Sequence, residues 1–501
     1  MTTETLQQVS KLSFGTKFAY GIGQVAEQIK NQGFNAFLFF YFTQVLGLAG
    51  TLAGAAVLIA LVFDAVTDPL AGSLSDNWRS KRGRRHPFMY AAAGPLAITW
   101  LLLFLPPDGL GQLGLFVWLT AFAILVRGAM TLYHVPHLAL GAELSRDYQE
   151  RTSIVAYRTL LAVVGGVLTT VLSYRLFFPE VEGFENGLMN PAGYWRYALF
   201  GSVIMFVTIW WSAWGTRREI PRLPPPPAEP EPFSVRRLGH EFTSAWTEVS
   251  FRSLFIGFTL FGVFFGIVAT LATHINVFFW EFSTDQLQFL ALPFALGFVL
   301  GTAFVGPLHR RFDKMPTLVG SALVNAVVGN SVIALRLLDL MPENNSPYLL
   351  PIIFGVLTLN AGIAALGFIS AGSMMADVAE QHELNSGRSQ GGIFFSATSF
   401  SGKLASGLGH AAAGIGLDLI AFPLQAEPSQ VPLEAIRNLG LLNLGAALLT
   451  LVAIYVFSYY RIDRARQAST RAALEQQGGA AGTPPETDAD PAPLREAGGS
   501  G

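Results

Sequence analysis

Residues 51–88 read TLAGAAVLIALVFDAVTDPLAGSLSDNWRSKRGRRHPF, and the order of their chemistry decides the fold class. Positions 51–75 are apolar apart from two carboxylates, and as a helix they are long enough to cross the roughly 30 Å of a bilayer core. Arg79, Lys81, Arg82, Arg84 and Arg85 follow at once, the mark of a loop kept on the cytoplasmic side. Lipid, not water, is the solvent in which this segment is stable.

Outward from it, apolar stretches of about 20 residues or more recur twelve times, at 17–46, 51–75, 87–106, 112–145, 153–177, 193–215, 252–282, 286–308, 316–338, 347–378, 390–421 and 434–460. The fourth, tenth and eleventh are long enough to tilt or to project from the bilayer. Basic residues collect after every second stretch: Arg146 and Arg151, then Arg217, Arg218 and Arg222, then Arg310, Arg311 and Lys314, then Arg388, and finally Arg461, Arg464 and Arg466. Both termini are therefore expected in the cytoplasm. The polar N-terminus, MTTETLQQVSKLSFGTK, has no cleavable-signal pattern, so the first span is expected to serve as the targeting signal.

Composition agrees. Hydrophobic residues make up 51% of the chain and charged residues 13%, about half the charge of a soluble protein. Cysteine is absent, which excludes disulfides, thiolate metal sites and a cysteine nucleophile. No catalytic triad, zinc-ligand cluster or phosphate loop is recognisable, so an enzyme is not expected. The basic loops follow the topology rule and give no reason to expect nucleic acid.

The chain divides near its middle. Residues 216–251 are polar, with prolines at 224–227 and then Leu238, Phe242, Ala245 and Val249 on one helical face, the pattern of a stiff linker and an interfacial helix. The expected organisation is a six-helix half over 1–215, this linker, a second six-helix half over 252–466, and a disordered tail over 467–501 rich in Gly, Ala, Pro and acids. The halves echo each other: Gly72, Asp76, Arg84 and Arg85 resemble Gly306, Arg310, Arg311 and Asp313. The fold class expected is an all-α membrane protein of the major facilitator type, twelve spans in two halves around a central cavity.

Charges inside a bilayer are costly, and each is a functional candidate. Asp64 and Asp68 stand at i, i+4, one above the other on a single helical face. Two close anions need a shared proton or cation; the bland alternative is a static bridge to a basic residue. Lys403 lies well inside its span and is the expected partner of Asp64 or Asp68, with snorkelling as the alternative. Arg127, Thr131, His134 and His137 share a face of the fourth span. Thr131 offers an oxygen to a cation site. His134 is open to substrate, to a proton or to plain burial, and His137 reads as structural. Arg158, Glu27 and Gln28 are further polar insertions; His274 and His410 are weaker candidates.

The run FDAVTDPLAGSLSDNWRSKRGRRHPF (63–88) resembles a signature of the glycoside–pentoside–hexuronide:cation symporters, the melibiose-permease family. ADVAEQHELNSGRSQGGIFFSATSFSGK (376–403) resembles its second signature, and KFAYGIGQVAEQ (17–28) and ERTSIVAYR (150–158) fit as well; the resemblance covers about residues 11–465. It implies cation-binding roles for Asp64, Asp68 and Thr131, with Thr67 standing where the melibiose permease has an asparagine, and a coupling role for Lys403. The polar insertions give an expected substrate site at Gln28, Glu27, His134, Arg158 and Arg127, and the charged loops an expected cytoplasmic gate at Asp76, Arg84, Arg85, Asp377 and Arg388. Gln28, His134 and Leu138 replace two sugar-binding aspartates and a tryptophan, so melibiose itself is not expected. The expected function is Na⁺- or H⁺-coupled symport of a sugar or glycoside by a monomer in the bacterial inner membrane. No cofactor other than the coupling cation is expected, and no partner other than solute and lipid. A lysolipid-like solute is the alternative, because eukaryotic relatives of this family carry lysolipids. A non-transporting membrane sensor is the more distant one.

Overall fold

The computed structural model describes residues 11–225, 239, 242–386 and 391–481. Among them the only β interaction is an isolated bridge between Val181 and Phe184. The first helical stretch is broken into α1 (Phe14–Ile22), α2 (Gln24–Gln32) and two π-helical turns, Gly33–Leu38 and Tyr41–Val45. Then come α3 (Gly50–Asn77), α4 (His86–Leu103), α5 (Gln112–Glu143), α6 (Tyr148–Phe177) and α7 (Pro191–Thr216). Beyond the linker lie α8 (Val249–His274), which runs into a π turn at Ile275–Phe279, α9 (Ala291–Phe312), α10 (Lys314–Leu337), α11 (Leu349–Ser386), α12 (Gly391–Leu419), α13 (Leu433–Ala446), α14 (Leu448–Phe457) and α15 (Arg464–Ala481). Ten of the described helices, counting contiguous turns together, are long and apolar enough to cross a membrane. Of the two other expected stretches, 17–46 holds most of α1, all of α2 and the two π turns, and the described part of 390–421 holds α12.

Helix starts follow ordinary capping chemistry. The Asp147 carboxylate accepts from the Glu150 amide at 2.8 Å to open α6. Asn190 accepts from the Ala192 amide at 3.0 Å ahead of Pro191 to open α7. Each satisfies a backbone donor that the helix leaves orphaned.

Helices α1–α7 pack on one another, as do α8–α14, and the two groups meet chiefly along α3 and α12. Glycine makes that seam possible. A Cβ on Gly54 would lie 2.5 Å from the His410 carbonyl oxygen, so backbone approaches backbone as small-residue membrane contacts allow. The two groups also end their first helices alike: Leu46 N–H donates to Tyr41 O at 3.0 Å and Leu48 N–H to Phe42 O at 2.8 Å, while Trp280 N–H donates to Ile275 O and Phe282 N–H to Asn276 O, both at 2.9 Å. The residue after each π turn's cap has positive φ, Gly47 at 77° and Glu281 at 51°.

Near this end of the molecule the groups are tied together. Asn186 donates to Phe282 O at 2.9 Å, the Gly50 and Thr51 amides donate to Asp418 at 2.9 and 2.7 Å, and the Ser429 amide donates to Glu185 at 2.8 Å. At the opposite end the ion pairs Arg85–Glu143, Lys17–Glu150 and Lys314–Asp377 each stay within one group.

Two expectations are corrected. The tail is helical from Arg464 to Ala481, where Ala, Arg and Gln dominate; averaging over 467–501 let the Gly- and Pro-rich end mask a helix-forming start. This helix docks on α11: Gln467 donates to Asp377 at 2.9 Å, Thr470 to Gln381 at 3.0 Å, and Arg471 pairs with Glu380 at 3.0 Å. In the linker, the Phe242 and Trp246 rings pack on Phe251 and Phe255 of α8, so this face is turned to protein. Leu238 lies outside the described residues.

Candidate functional site

Helix α3 places Asp64 and Asp68 on successive turns, facing α5 and α12. Thr131 Oγ1 of α5 lies 2.8 Å from Asp64 Oδ1 and 2.9 Å from Asp68 Oδ1. A hydroxyl has one hydrogen, so it donates to one carboxylate at a time while the other stands against its oxygen. Lys403 Nζ of α12 reaches Asp64 Oδ2 at 2.9 Å and also pairs with Asp68 Oδ2. The expected partner therefore bridges both acids rather than choosing one, and it does so across the seam between the groups.

Arg127, expected at the substrate site, is placed instead on Asp64, with its guanidinium 3.4 Å from Oδ2 and 4.4 Å from the centroid of the Phe34 ring. Glu27 pairs with Lys30 at 2.8 Å; both are buried. Both contacts follow from opposite charge, since a buried ion is tolerated only when paired. Thr67 Oγ1 donates to the Asp64 carbonyl at 3.3 Å, within its own helix turn.

A cavity of about 860 Å³ is reached one turn further along α5, at His134. One wall is polar and amide-rich, with Gln24, Gln28, Asn31, Gln32 and Asn35, completed by His134 and Arg158. Gln24 Nε2 meets His134 Nε2 at 3.3 Å. Gln24 Oε1 and both amide atoms of Gln32 are buried with no partner in the protein, leaving hydrogen-bonding capacity toward the cavity. The facing wall is apolar, with Leu290, Phe294, Phe298 and Val299 from α9 and the segment before it. Helix α5 joins the two regions: Arg127 and Thr131 serve the carboxylates, and His134 serves the cavity one turn on.

His137 stacks on Tyr20 with ring centroids 4.5 Å apart. His274 meets Thr43 at 3.3 Å, tying the first stretch to α8. His410 Nδ1 lies 2.7 Å from the Ser406 carbonyl within α12. At the expected gate, Arg85 pairs with Asp76 and with Glu143 at 2.7 Å, Arg84 reaches Glu143 at 2.9 Å, and Asp377 holds Lys314 at 2.5 Å. These are two separate clusters, not brought to each other; Arg388 lies outside the described residues. Sequence reasoning missed Glu143, Lys314, Lys30 and Gln24. For Lys30 the signal was available, an ammonium three residues after Glu27 in an apolar run.

Long apolar helices around a buried polar centre define a multi-pass membrane transporter of the major facilitator type. The chain belongs to the family described as MFS/sugar transport protein, which matches residues 19–464, and the resemblance to the glycoside–pentoside–hexuronide:cation symporters stands. It is similar to the inner membrane symporter YicJ of Escherichia coli, 26% identical with 80% of this chain and 82% of that one covered. It is also similar to the sodium-dependent lysophosphatidylcholine symporter 1 of Mus musculus, 25% identical over 93% of this chain and 89% of that one. Among solved structures, the nucleoside transporter NupG superposes with a TM-score of 0.61 at 14% identity, covering 89% of this chain and 99% of that one, a likeness of fold.

Proposed function

We propose that the protein is a cation-coupled symporter that imports a sugar or glycoside by alternating access. The single observation that carries this is the Asp64–Asp68–Thr131 oxygen cluster, bridged by Lys403 across the seam and joined through α5 to an amide-lined cavity in which Gln24 Oε1 and the Gln32 amide have no protein partner. Asp64, Asp68 and Thr131 form the cation site, Lys403 the coupling residue, and Gln28, His134 and Arg158 the substrate contacts. The coupling ion is Na⁺ or H⁺. A neutral polyol suits amide donors and acceptors, since an amide offers both and demands no counter-charge.

The family description and the symporter relatives support this reading. In it the chain makes twelve spans in two six-helix halves, both termini cytoplasmic, in the bacterial inner membrane, and works as a monomer. The matching π-helical ends at 41–46 and 275–280 support the internal repeat. The ties among residues 46–51, 185–187, 282–284 and 418–429 correspond to closure on the outer side, with the cavity facing inward. Gate residues Asp76, Arg84, Arg85 and Asp377 then lie at the open end. Each positive charge moved inward draws about 2.3 kcal/mol per 100 mV of membrane potential.

One observation favours a second solute class. The apolar α9 wall faces the amides, and α6 and α9 bury the smallest share of their residues among the ten long helices. A solute with a polar head and an apolar tail fits such a cavity, and the mouse relative is named for a lysophospholipid. Thermal stabilisation of purified protein across a sugar panel and a lysophosphatidylcholine decides. A saturable shift with a sugar, lost in Gln28→Ala, supports the sugar reading, and a shift with the lysolipid alone overturns it.

A further inference from the structure

We infer that Arg127 is a resident counter-cation that excludes Na⁺ from Asp64, so that residue 127 sets which ion the site accepts. The inference rests on the symport reading above and narrows it.

Asp64 has no oxygen to spare. Its Oδ1 takes the Thr131 contact at 2.8 Å, and its Oδ2 faces both Lys403 at 2.9 Å and Arg127 at 3.4 Å. A hard cation needs carboxylate lone pairs aimed at it, and two cations already share the one remaining oxygen. They differ in how readily they leave. Lys403 is a flexible ammonium with 22% of its side chain exposed, whereas the Arg127 side chain is 8% exposed, lies over the Phe34 ring and keeps its charge at any working pH. Withdrawal of Lys403 would free Asp68 and leave Asp64 with Arg127.

Charge counting agrees. The buried acids Glu27 and Asp64 and the part-exposed Asp68 are matched by Lys30, Arg127 and Lys403. An added Na⁺ puts an excess positive charge into a low-dielectric site, where like charges repel most. Arg127 and Thr131 are four residues apart on α5 and so share one face. Truncating residue 127 leaves the hydroxyl and both carboxylates in place and vacates room for a small cation beside Asp64.

The test is the melting temperature of purified full-length protein, without solute, in NaCl against choline chloride at equal ionic strength. The wild type and Arg127→Lys should melt alike in the two salts. Arg127→Ala or Arg127→Gln should gain a saturable Na⁺-dependent rise of several degrees, abolished by adding Asp64→Asn. A saturable Na⁺ shift in the wild type that Asp64→Asn removes overturns the inference. So does the lack of any gain when both truncations elute as monodisperse, cooperatively melting protein. Failure of the symport reading shows separately, as uptake into vesicles that responds to no Na⁺ or proton gradient.

Discussion

Lys403 and Asp64 are 339 residues apart and meet at 2.9 Å. The contact joins α12 to α3 across the interface between the two helix groups, so anything that changes the carboxylates' partners changes how the groups are held together. In the proposed symport cycle this is the form that coupling would take: by reciprocity, a cation that loosens this bridge and a solute that favours the loosened state raise each other's affinity.

Lys403→Ala should abolish accumulation while sparing solute exchange. The substitution leaves two carboxylates with fewer positive neighbours, and breaking a buried pair from one side costs about 3–5 kcal/mol, the upper end of which is tempered by the exposure of Lys403 and Asp68. Uphill uptake into vesicles should fall at least about tenfold with counterflow retained. Equal loss of both would locate Lys403 in the solute path instead.

Thr131→Val should be worse than Thr131→Ser. Valine keeps the shape but removes the only donor that Asp64 Oδ1 and Asp68 Oδ1 share, and an unsatisfied buried acceptor costs roughly 1–3 kcal/mol. Melting temperature and coupled uptake should drop together in the valine variant and return toward wild type in the serine variant.

Gly54→Val should lower stability by about 1–3 kcal/mol. The atom it would meet is the His410 backbone carbonyl oxygen, 2.5 Å from a Cβ, which cannot rotate away as a side chain could. Gly94, with nothing within 4 Å of a built Cβ, is the matched control, and Gly94→Ala should melt like the wild type.

Closure at the Glu185–Glu427 end should weaken as pH rises. The Glu185 amide donates to the Glu427 carboxylate at 3.2 Å; burial raises that carboxyl above its ordinary value, the Glu185 N–H opposes the rise and the Glu185 charge adds to it, so on balance the closed arrangement favours the protonated form. Its contribution is present at acid pH and is lost as pH rises through that raised value. The cysteine-free chain permits clean spin-label pairs on the 178–190 and 420–432 loops. Their distance distribution should broaden with rising pH in the wild type and not in Glu427→Gln.

Much of the fold was legible because lipid punishes exceptions. Asp64, Asp68 and Lys403 stood out as charges in long apolar runs, and pairing them followed from the cost of leaving any alone. Depth along a helix was harder to read. Arg127 and His134 share a face of α5, yet seven residues of rise separate them by about 10 Å, enough to put one on a carboxylate and the other at the cavity. Glu143 and Lys314 were invisible as partners, since each is met only once distant helices pack. The π turns carry no periodic signal, and each inserts a residue that rotates the faces after it.

The glycine-lined seam has a mechanical meaning. Helices that meet through side-chain ridges must unmesh to move, and each rotamer exchange adds a barrier. Where Gly54 and Gly50 lie against the backbones of His410 and Gly414, there are no teeth to disengage. The moving parts slide on a smooth bearing, and the resistance to motion is concentrated in the few charged latches that ions and solute can release.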